Sequence, residues 1–165
     1  AGMGAVGTAA QFSAEGLRWV HAGDTRAFLV DERGCTQLTT EHVDASGAVA
    51  CDLGTRYRPD ERWFDEGDAE LSVGDLLVLC SDGLTDAVDS ATLTARLSAA
   101  WGRGTRTDRL ASDLVRLALG RNATDNVTVV VVRRVRPRRW PLRVVMGAAL
   151  VVAFAAGWAV RSIAG

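Results

Sequence analysis

Short apolar runs alternate with polar connections along the first 132 residues of this chain of 165 residues. The runs at 17–22, 27–30 and 76–80 predict β-strands, and the polar segment 31–34 predicts a hairpin turn after the second of them. The run LLVLC at 76–80 is apolar at every position, which predicts a strand covered on both faces. The segment 126–132 is rich in β-branched residues and predicts a further strand.

Two helices are predicted between the last two strands. Leucines spaced by three or four residues predict helices at 90–101 and 107–119, and Gly120 suits the C-terminus of the second. Residues 41–70 are polar and predict an irregular connection with one edge strand at 48–51. The run 37–40 is interpreted as a strand or its exit. The expected fold class is therefore α+β.

The C-terminal part of the chain has a run of 17 uncharged residues, 144–160, bracketed by Arg143 and Arg161. As a helix it would be about 25 Å long, which reaches the lower end of the membrane-spanning range. A buried core helix and a short interfacial segment are the alternatives. More arginines precede the run than follow it, so we predict a single-pass plasma-membrane protein with a cytoplasmic body. A stripe of small residues predicts weak pairing of two such helices: Ala149, Ala153 and Gly157.

The distribution of charged residues also separates the C-terminal part of the chain from the rest. Residues 1–132 contain all twenty acids and twelve arginines, whereas 133–165 contain seven arginines and no acid. We therefore predict an acidic body at 1–132, a basic linker at 133–143, a transmembrane helix at 144–160 and a short tail at 161–165. An acidic body argues against nucleic-acid binding. The chain contains no lysine, which excludes mechanisms that need one.

Three features suggest chemistry only weakly. Gly2, Gly4 and Gly7 match a dinucleotide-binding pattern, but no strand precedes them, and close backbone packing is the better interpretation. Cys51 and Arg56 have the spacing C-x4-R, whereas thiol phosphatases have C-x5-R, so the pair is a weak candidate for nucleophilic catalysis. The chain has three cysteines and no CxxC pair, which indicates neither a zinc site nor a disulfide framework. Two isolated histidines are interpreted as structural, His21 and His42.

The carboxylates carry more information. Asp24 follows an apolar run, Asp82 and Asp86 follow the predicted buried strand, and Asp125 immediately precedes the β-branched segment. If a helical turn begins at Gly83, Asp82 and Asp86 face the same way. Carboxylate oxygens are the ligands that Mg²⁺ and Mn²⁺ prefer, although a turn or cap role would also explain each aspartate taken alone.

Five ordered segments resemble the metal-dependent PPM (PP2C-type) Ser/Thr phosphatases. They are GMG at 2–4, WVHAGDTRAFLV at 19–30, QLTTEH at 37–42, GDLLVLCSDGLTD at 74–86 and TDNVTVVVV at 124–132. The similarity covers the C-terminal half of that family's domain. It implies a β-sandwich flanked by helices, and we predict that residues 12–132 form part of it, with both helices on one side.

The resemblance also implies the site and the reaction. Asp82 and Asp125 match the ligands of the family's binuclear site, and Asp24 and Asp86 match ligands of its third metal. The cofactors would be two or three Mg²⁺ or Mn²⁺ ions, and the substrates phosphoserine and phosphothreonine in proteins. The family's first half supplies further metal ligands, a proposed histidine acid and a phosphate-binding arginine. We therefore expect this chain to be a fragment that is inactive alone.

Two other functions stay open at this point. The chain could be a non-catalytic PPM-like module that binds or regulates a partner at the membrane. Alternatively, it could be a membrane-anchored scaffold in which the aspartates only cap strands. The residues encoded upstream distinguish these hypotheses, because an Asp-Gly-containing segment there would support the enzyme.

Overall fold

The fold combines two antiparallel sheets with three helices in the part of the chain that the structure describes. This computed structural model describes residues 4–14, 16–54, 64–136 and 150–155. The strands are β1 (Val6–Phe12), β2 (Leu17–Ala22), β3 (Arg26–Asp31), β4 (Gly34–Gln37), β5 (Asp65–Ala69), β6 (Leu76–Cys80), β7 (Val129–Arg133) and β8 (Leu150–Ala155). The helices are α1 (Asp82–Ala87), α2 (Ser90–Gly102) and α3 (Thr107–Gly120). The first sheet has the order β5-β2-β1-β8, and the second has the order β4-β3-β6-β7.

Strand β6 lies at the centre of the packing. All five of its residues are buried, and its side chains alternate between two cores. Leu77 and Leu79 pack with Ala10 and Leu17 of the first sheet, so this core lies between the sheets. The other three residues of β6 pack beneath the helices, together with leucines of α2 and α3. The prediction of a strand covered on both faces is confirmed.

Helices α2 and α3 lie on the outer face of the second sheet, as predicted. Asp89 caps α2 by accepting a hydrogen bond from the backbone N–H of Thr92 at 2.8 Å. Helix α3 ends at Gly120, but the left-handed conformation expected of that glycine is taken by Asn122, with φ of 60°. Asparagine adopts this conformation more readily than other non-glycine residues, so it closes the helix instead.

Several predicted strand positions need correction. The hairpin at 31–34 is confirmed, and of the two interpretations of 37–40 the second is confirmed, because β4 ends at Gln37 and 38–40 lead out of it. The predicted edge strand at 48–51 contributes only an isolated bridge between Val43 and Val49. Strands β1 and β5 were not predicted, because β1 is built of small residues and β5, with the sequence DEGDA, is polar.

The helix predicted over 144–160 is wrong for the residues that can be described. Leu150–Ala155 forms β8, which pairs antiparallel with β1 from Val6↔Ala155 to Gln11↔Leu150. The physical reason is that β1 has an open edge of backbone N–H and C=O groups, and the apolar segment satisfies them as a strand. Ala153 therefore lies in a strand and not on a helical stripe, while Ala149 and Gly157 lie outside the described residues. Among the residues described, no helix is long and apolar enough to cross a membrane.

We expect Leu77→Ala to lower the free energy of unfolding of the 165-residue chain by about 2–5 kcal/mol, because it leaves a cavity between the sheets. Leu119→Ala is the matched control, since the Leu119 side chain is 60% exposed, and should change it by less than about 0.5 kcal/mol. Urea unfolding followed by circular dichroism measures both. Equal losses in the two variants would contradict the two-sided burial of β6.

Candidate metal centre

The strand register brings two of the predicted ligands to one end of the second sheet. Arg26 of β3 is paired with Cys80 of β6, and Asp24 and Asp82 each lie two residues beyond this pair in the same direction. Strand β7 begins opposite Cys80, so the loop that carries Asp125 reaches the same end. The predicted ligands thus come from three adjacent strands of one sheet.

A buried serine joins two of these segments. The Ser81 hydroxyl donates to the carbonyl oxygen of Asn126 at 2.9 Å and accepts from the backbone N–H of Thr128 at 3.0 Å. The Ser81 backbone N–H also donates to the Thr128 carbonyl oxygen at 3.1 Å. Because Ser81 precedes Asp82 and Asn126 follows Asp125, these bonds hold the two aspartates beside each other.

The glycine after Asp82 permits a close approach of the same two segments. A Cβ atom on Gly83 would lie 2.6 Å from the carbonyl oxygen of Asn126 and 3.2 Å from that of Asp125, so a side chain would push the loop away. Gly83 also donates its backbone N–H to Asp82 Oδ1 at 2.8 Å. Helix α1 places Asp82 and Asp86 four residues apart on one face, as predicted.

The four carboxylates interact electrostatically. The pKa of Asp82 is raised, first by burial and then by the negative charges of Asp24, Asp125 and Asp86. The pKa of Asp24 is also raised, mainly by burial, with further contributions from the charges of Asp86 and Glu41. A cation at this end of the sheet would offset the repulsion and the burial cost together.

One oxygen of the group is available to a ligand. Asp24 Oδ1 is buried and has no hydrogen-bond partner in the part of the chain that the structure describes. An unsatisfied buried carboxylate oxygen costs free energy, and a hard cation is a suitable partner for it. The donor set therefore fits Mg²⁺ or Mn²⁺. No group of three or more His, Cys, Asp or Glu side chains among the described residues is arranged to hold an ion by itself.

A chain of buried hydroxyl and imidazole groups supports the turn that carries Asp24. His21 Nε2 lies 3.0 Å from the Gly23 carbonyl oxygen, which can only accept, so Nε2 carries the proton. His21 Nδ1 then accepts from the Thr8 hydroxyl at 2.9 Å, and Thr8 accepts from the Thr25 hydroxyl at 2.8 Å. Burial lowers the pKa of His21, which is consistent with this neutral tautomer.

The second histidine holds the same turn from the other side. The Gly23 backbone N–H donates to His42 Nδ1 at 3.3 Å, so Nδ1 carries no proton, and His42 Nε2 donates to Asp65 Oδ2 at 3.0 Å. Gly23 has φ of 104°, and a Cβ atom there would lie 2.3 Å from the Cβ of Val6. The prediction that His21 and His42 are structural is supported by these contacts.

An arginine lies beside the acidic group and is already paired. Arg26 Nη2 forms an ion pair with Glu41 Oε1 at 2.7 Å, and both side chains are partly buried. The positive charge of Arg26 lowers the pKa of Asp24, which opposes the larger effect of burial. Because its guanidinium is paired with Glu41, the role of Arg26 is to offset part of the negative charge of Glu41 and Asp24.

Gly4, of the glycine-rich motif, and Cys80, one of the three cysteines, have packing roles. A Cβ atom on Gly4 would lie 2.5 Å from the Asp52 carboxyl carbon, so this glycine serves close packing, and Gly7 lies within β1. Arg56 lies outside the described residues, which leaves the Cys51–Arg56 spacing without a structural account. Cys80 is the cysteine at the end of the buried strand, and burial raises its pKa to about 12, so it stays protonated and is a poor nucleophile.

Sequence reasoning found the acids but missed the residues that position them. Ser81 and Thr8 were not singled out, and Gly83 was considered only as the start of a helical turn; the structure places all three in the contacts that fix the aspartates. For Gly83 the available signal was its place directly after an aspartate at a strand end. For Ser81 and Thr8 no local signal exists, because their partners are distant in sequence.

Comparison with known proteins places this geometry in a family. Residues 5–135 match the family model described as Stage II sporulation protein E (SpoIIE). The serine/threonine protein phosphatase PstP of Mycobacterium tuberculosis (strain CDC 1551 / Oshkosh) is 32% identical over 148 residues, which cover 79% of this chain and 27% of PstP.

Two solved structures share the fold. The crystal structure of the M. tuberculosis serine/threonine phosphatase PstP/Ppp matches with a TM-score of 0.62 and 25% identity, covering 78% of this chain and 59% of that chain. The catalytic domain of serine threonine protein phosphatase PstP in complex with two manganese ions matches with a TM-score of 0.59 and 27% identity, covering 78% of this chain and 58% of that chain.

These matches define the class of the protein: its two-sheet α+β fold is that of PP2C-type Ser/Thr phosphatase domains. The chain belongs to the SpoIIE family, whose model matches residues 5–135. It spans 27% of the curated relative's length and 59% of the first solved chain, so it corresponds to part of the domain. The resemblance inferred from the motifs is confirmed at the level of the family.

We expect Gly83→Ala to destabilise the chain by about 1–3 kcal/mol, because the added methyl group meets the Asn126 carbonyl oxygen. Gly102→Ala is the matched control: it also lies in a helix, but a Cβ atom there meets nothing within 4 Å. That change should be neutral or stabilising by up to about 1 kcal/mol. Thermal unfolding followed by circular dichroism measures both, and similar results for the two variants would contradict the close approach at Gly83.

Proposed function

We propose that this chain contributes part of the metal centre of a phosphatase that removes phosphate from phosphoserine and phosphothreonine in proteins. The observation that carries the proposal is the group of four aspartates at one end of the second sheet, in which Asp24 and Asp82 have raised pKa values and Asp24 Oδ1 has no partner among the described residues. Membership of a PP2C-type family supports the same activity.

The metals are proposed to be Mg²⁺ or Mn²⁺, two or three in a complete domain. Asp82 and Asp125 would serve the binuclear pair, and Asp24 and Asp86 a third ion. The PstP catalytic domain solved with two manganese ions supports this choice of metal. When bound, such ions lower the pKa of a water molecule and neutralise the charge on phosphate oxygens.

The residues of the chain hold this arrangement in place. The Gly83 backbone N–H fixes one oxygen of Asp82, and the Ser81 hydroxyl fixes the distance between the Asp82 and Asp125 segments. The paired histidines fix both backbone groups of Gly23, which orients the following Asp24. The serine and histidine contacts act on the backbone next to an acid, so they leave the carboxylates able to bind a cation.

A second function, a non-catalytic PPM-like module that binds or regulates a partner, is favoured by one observation. The described residues form no group of three or more ligating side chains that holds an ion alone. Residues outside this chain, or water, must therefore complete the coordination for the first function to apply. The upstream half of the PPM family's domain is the expected source, and we expect the 165-residue chain alone to be inactive or nearly so.

We test the enzyme with Asp82→Asn in the product of the complete reading frame. Mn²⁺ should raise the melting temperature of the unaltered protein and support hydrolysis of a phosphothreonine peptide, and the variant should lose both effects, because ligand loss disrupts the coordination. Glu32→Gln is the control, since it removes one charge from the turn at the far end of β3. A Mn²⁺ shift without hydrolysis would favour the binding module, and full activity of the Asp82→Asn variant would overturn the proposal.

Membrane attachment is a separate proposal, supported by the uncharged run 144–160 and its flanking arginines. Because a membrane helix and strand β8 exclude each other, this proposal requires a second state in which Leu150–Ala155 leaves β1 and enters the bilayer. We expect a tagged protein to remain with membranes after alkaline carbonate washing, and a version without residues 140–165 to be released. Protease added outside intact cells should leave the body uncut. Release of the tailed protein would favour β8 pairing instead, and external cleavage would refute the orientation.

A further inference from the structure

Positive charge is concentrated in the helical layer of an otherwise acidic body. Residues 90–121 contain six arginines and two aspartates, whereas the rest of residues 1–132 contains six arginines and eighteen acids. The helical layer comprises α2, α3 and their connection, and it lies on the outer face of the second sheet. The surface of this layer therefore attracts anions while the rest of the body repels them.

A groove of about 870 Å³ runs between α2 and α3 in this layer. Its floor includes Ala100, Leu110 and Leu114, which are buried and apolar. Four exposed arginines line it against a single acid, Asp113. These arginines, called the arginine rim below, are Arg96, Arg103, Arg106 and Arg109.

Two of the four rim arginines form an ion pair with an acid among the described residues, and the other two do not. Arg106 forms an ion pair with Asp108 at 2.8 Å, and Arg109 lies 3.8 Å from Asp113. Arg96 and Arg103 have no acidic partner among the residues that the structure describes. Exposed pairs such as these are weak and readily exchanged, so the rim offers two unpaired guanidinium groups and two that can switch partner.

The last residue of β7 contacts one end of the groove. Arg133 Nη2 donates to the Thr105 carbonyl oxygen at 3.1 Å, and Thr105 lines the groove. The Arg133 guanidinium therefore adds a positive charge at one end of the groove.

We propose that this groove binds an acidic peptide segment of a protein partner, with Asp or Glu side chains on the arginine rim and apolar side chains on the floor. Guanidinium groups bind carboxylates through paired N–H donors, which gives direction as well as charge. A concave groove with an apolar floor fits an extended or helical peptide better than the flat surface of a bilayer. The site lies apart from the aspartates and needs no metal, so it does not depend on the proposed activity.

The test uses the 165-residue chain and a fluorescein-labelled twelve-residue peptide of eight glutamates and four leucines. Fluorescence anisotropy should detect binding that weakens as salt is raised, and a peptide with glutamine in place of every glutamate should not bind. The variant Arg96→Gln/Arg103→Gln should bind the acidic peptide about tenfold more weakly or worse, a loss of about 1.4 kcal/mol, because it removes the two guanidinium groups that have no acidic partner among the described residues.

The matched control is Arg18→Gln/Arg33→Gln, which removes the same charge from two exposed positions outside the groove. It should leave the affinity for the peptide within about twofold. A second groove variant, Arg106→Gln/Arg109→Gln, repeats the test if the first is unstable by its melting temperature. Equal weakening in the groove and control variants would show general charge attraction and overturn the proposal.

Vesicles containing phosphatidylserine test the alternative that the arginine rim binds an anionic lipid surface. If the groove variant loses vesicle binding while the acidic peptide fails to bind the unaltered chain, the surface faces lipid and the peptide site is refuted. The Mn²⁺-induced rise in melting temperature is expected to be unchanged by Arg96→Gln/Arg103→Gln in the product of the complete reading frame. This separates failure of the groove from failure of the metal centre.

Discussion

Burial of β6 on both faces is the constraint on which the rest of the molecule depends. Its five apolar residues need cover on both sides, and the first sheet and the two long helices provide it. Because β6 lies between β3 and β7 and pairs antiparallel with both, the end of β6 fixes where those two strands begin. The chain becomes polar directly after Cys80, so the acids appear at the end of the sheet where β6 ends and its two neighbours begin. The position of the acidic group thus follows from the packing of hydrophobic residues well away from it.

The parts of the fold that could be predicted are those whose side chains pack against the helices and β6. The run LLVLC has a clear pattern because β6 is buried on both faces. The leucines of α2 and α3 have a clear pattern because each helix buries one apolar face. Strand β7 was predicted to begin at 126 but begins at Val129, because Ser81 engages the backbone of Asn126 and Thr128. Strand β1 gave no pattern, since its residues are small, and β5 is a polar edge strand held by backbone pairing with β2.

In the candidate site, too, some features could be predicted from a local sequence pattern and others depend on contacts between distant residues. Aspartates at strand ends could be identified because an acid beside an apolar run is unusual, and the family resemblance supplied their proposed pairing with metals. What could not be predicted is the support beneath them. The chain from Thr25 through Thr8 and His21 to Gly23 joins two sheets, and no local spacing encodes such contacts. The neutral tautomers of both histidines follow only from which atoms face a carbonyl or an N–H group.

The pairing of β8 with β1 has a consequence for synthesis of the protein. Gln11 is paired with Leu150, 139 residues later, whereas β1 and β2 are joined by a short turn. At about 5–20 residues per second, translation leaves the outer edge of β1 without this partner for roughly 7–30 s. During that interval any other extended segment can occupy the edge, and a chaperone that shields it would protect the nascent chain from aggregation. Codon choice between residues 12 and 150 thus sets how long the incomplete sheet is exposed.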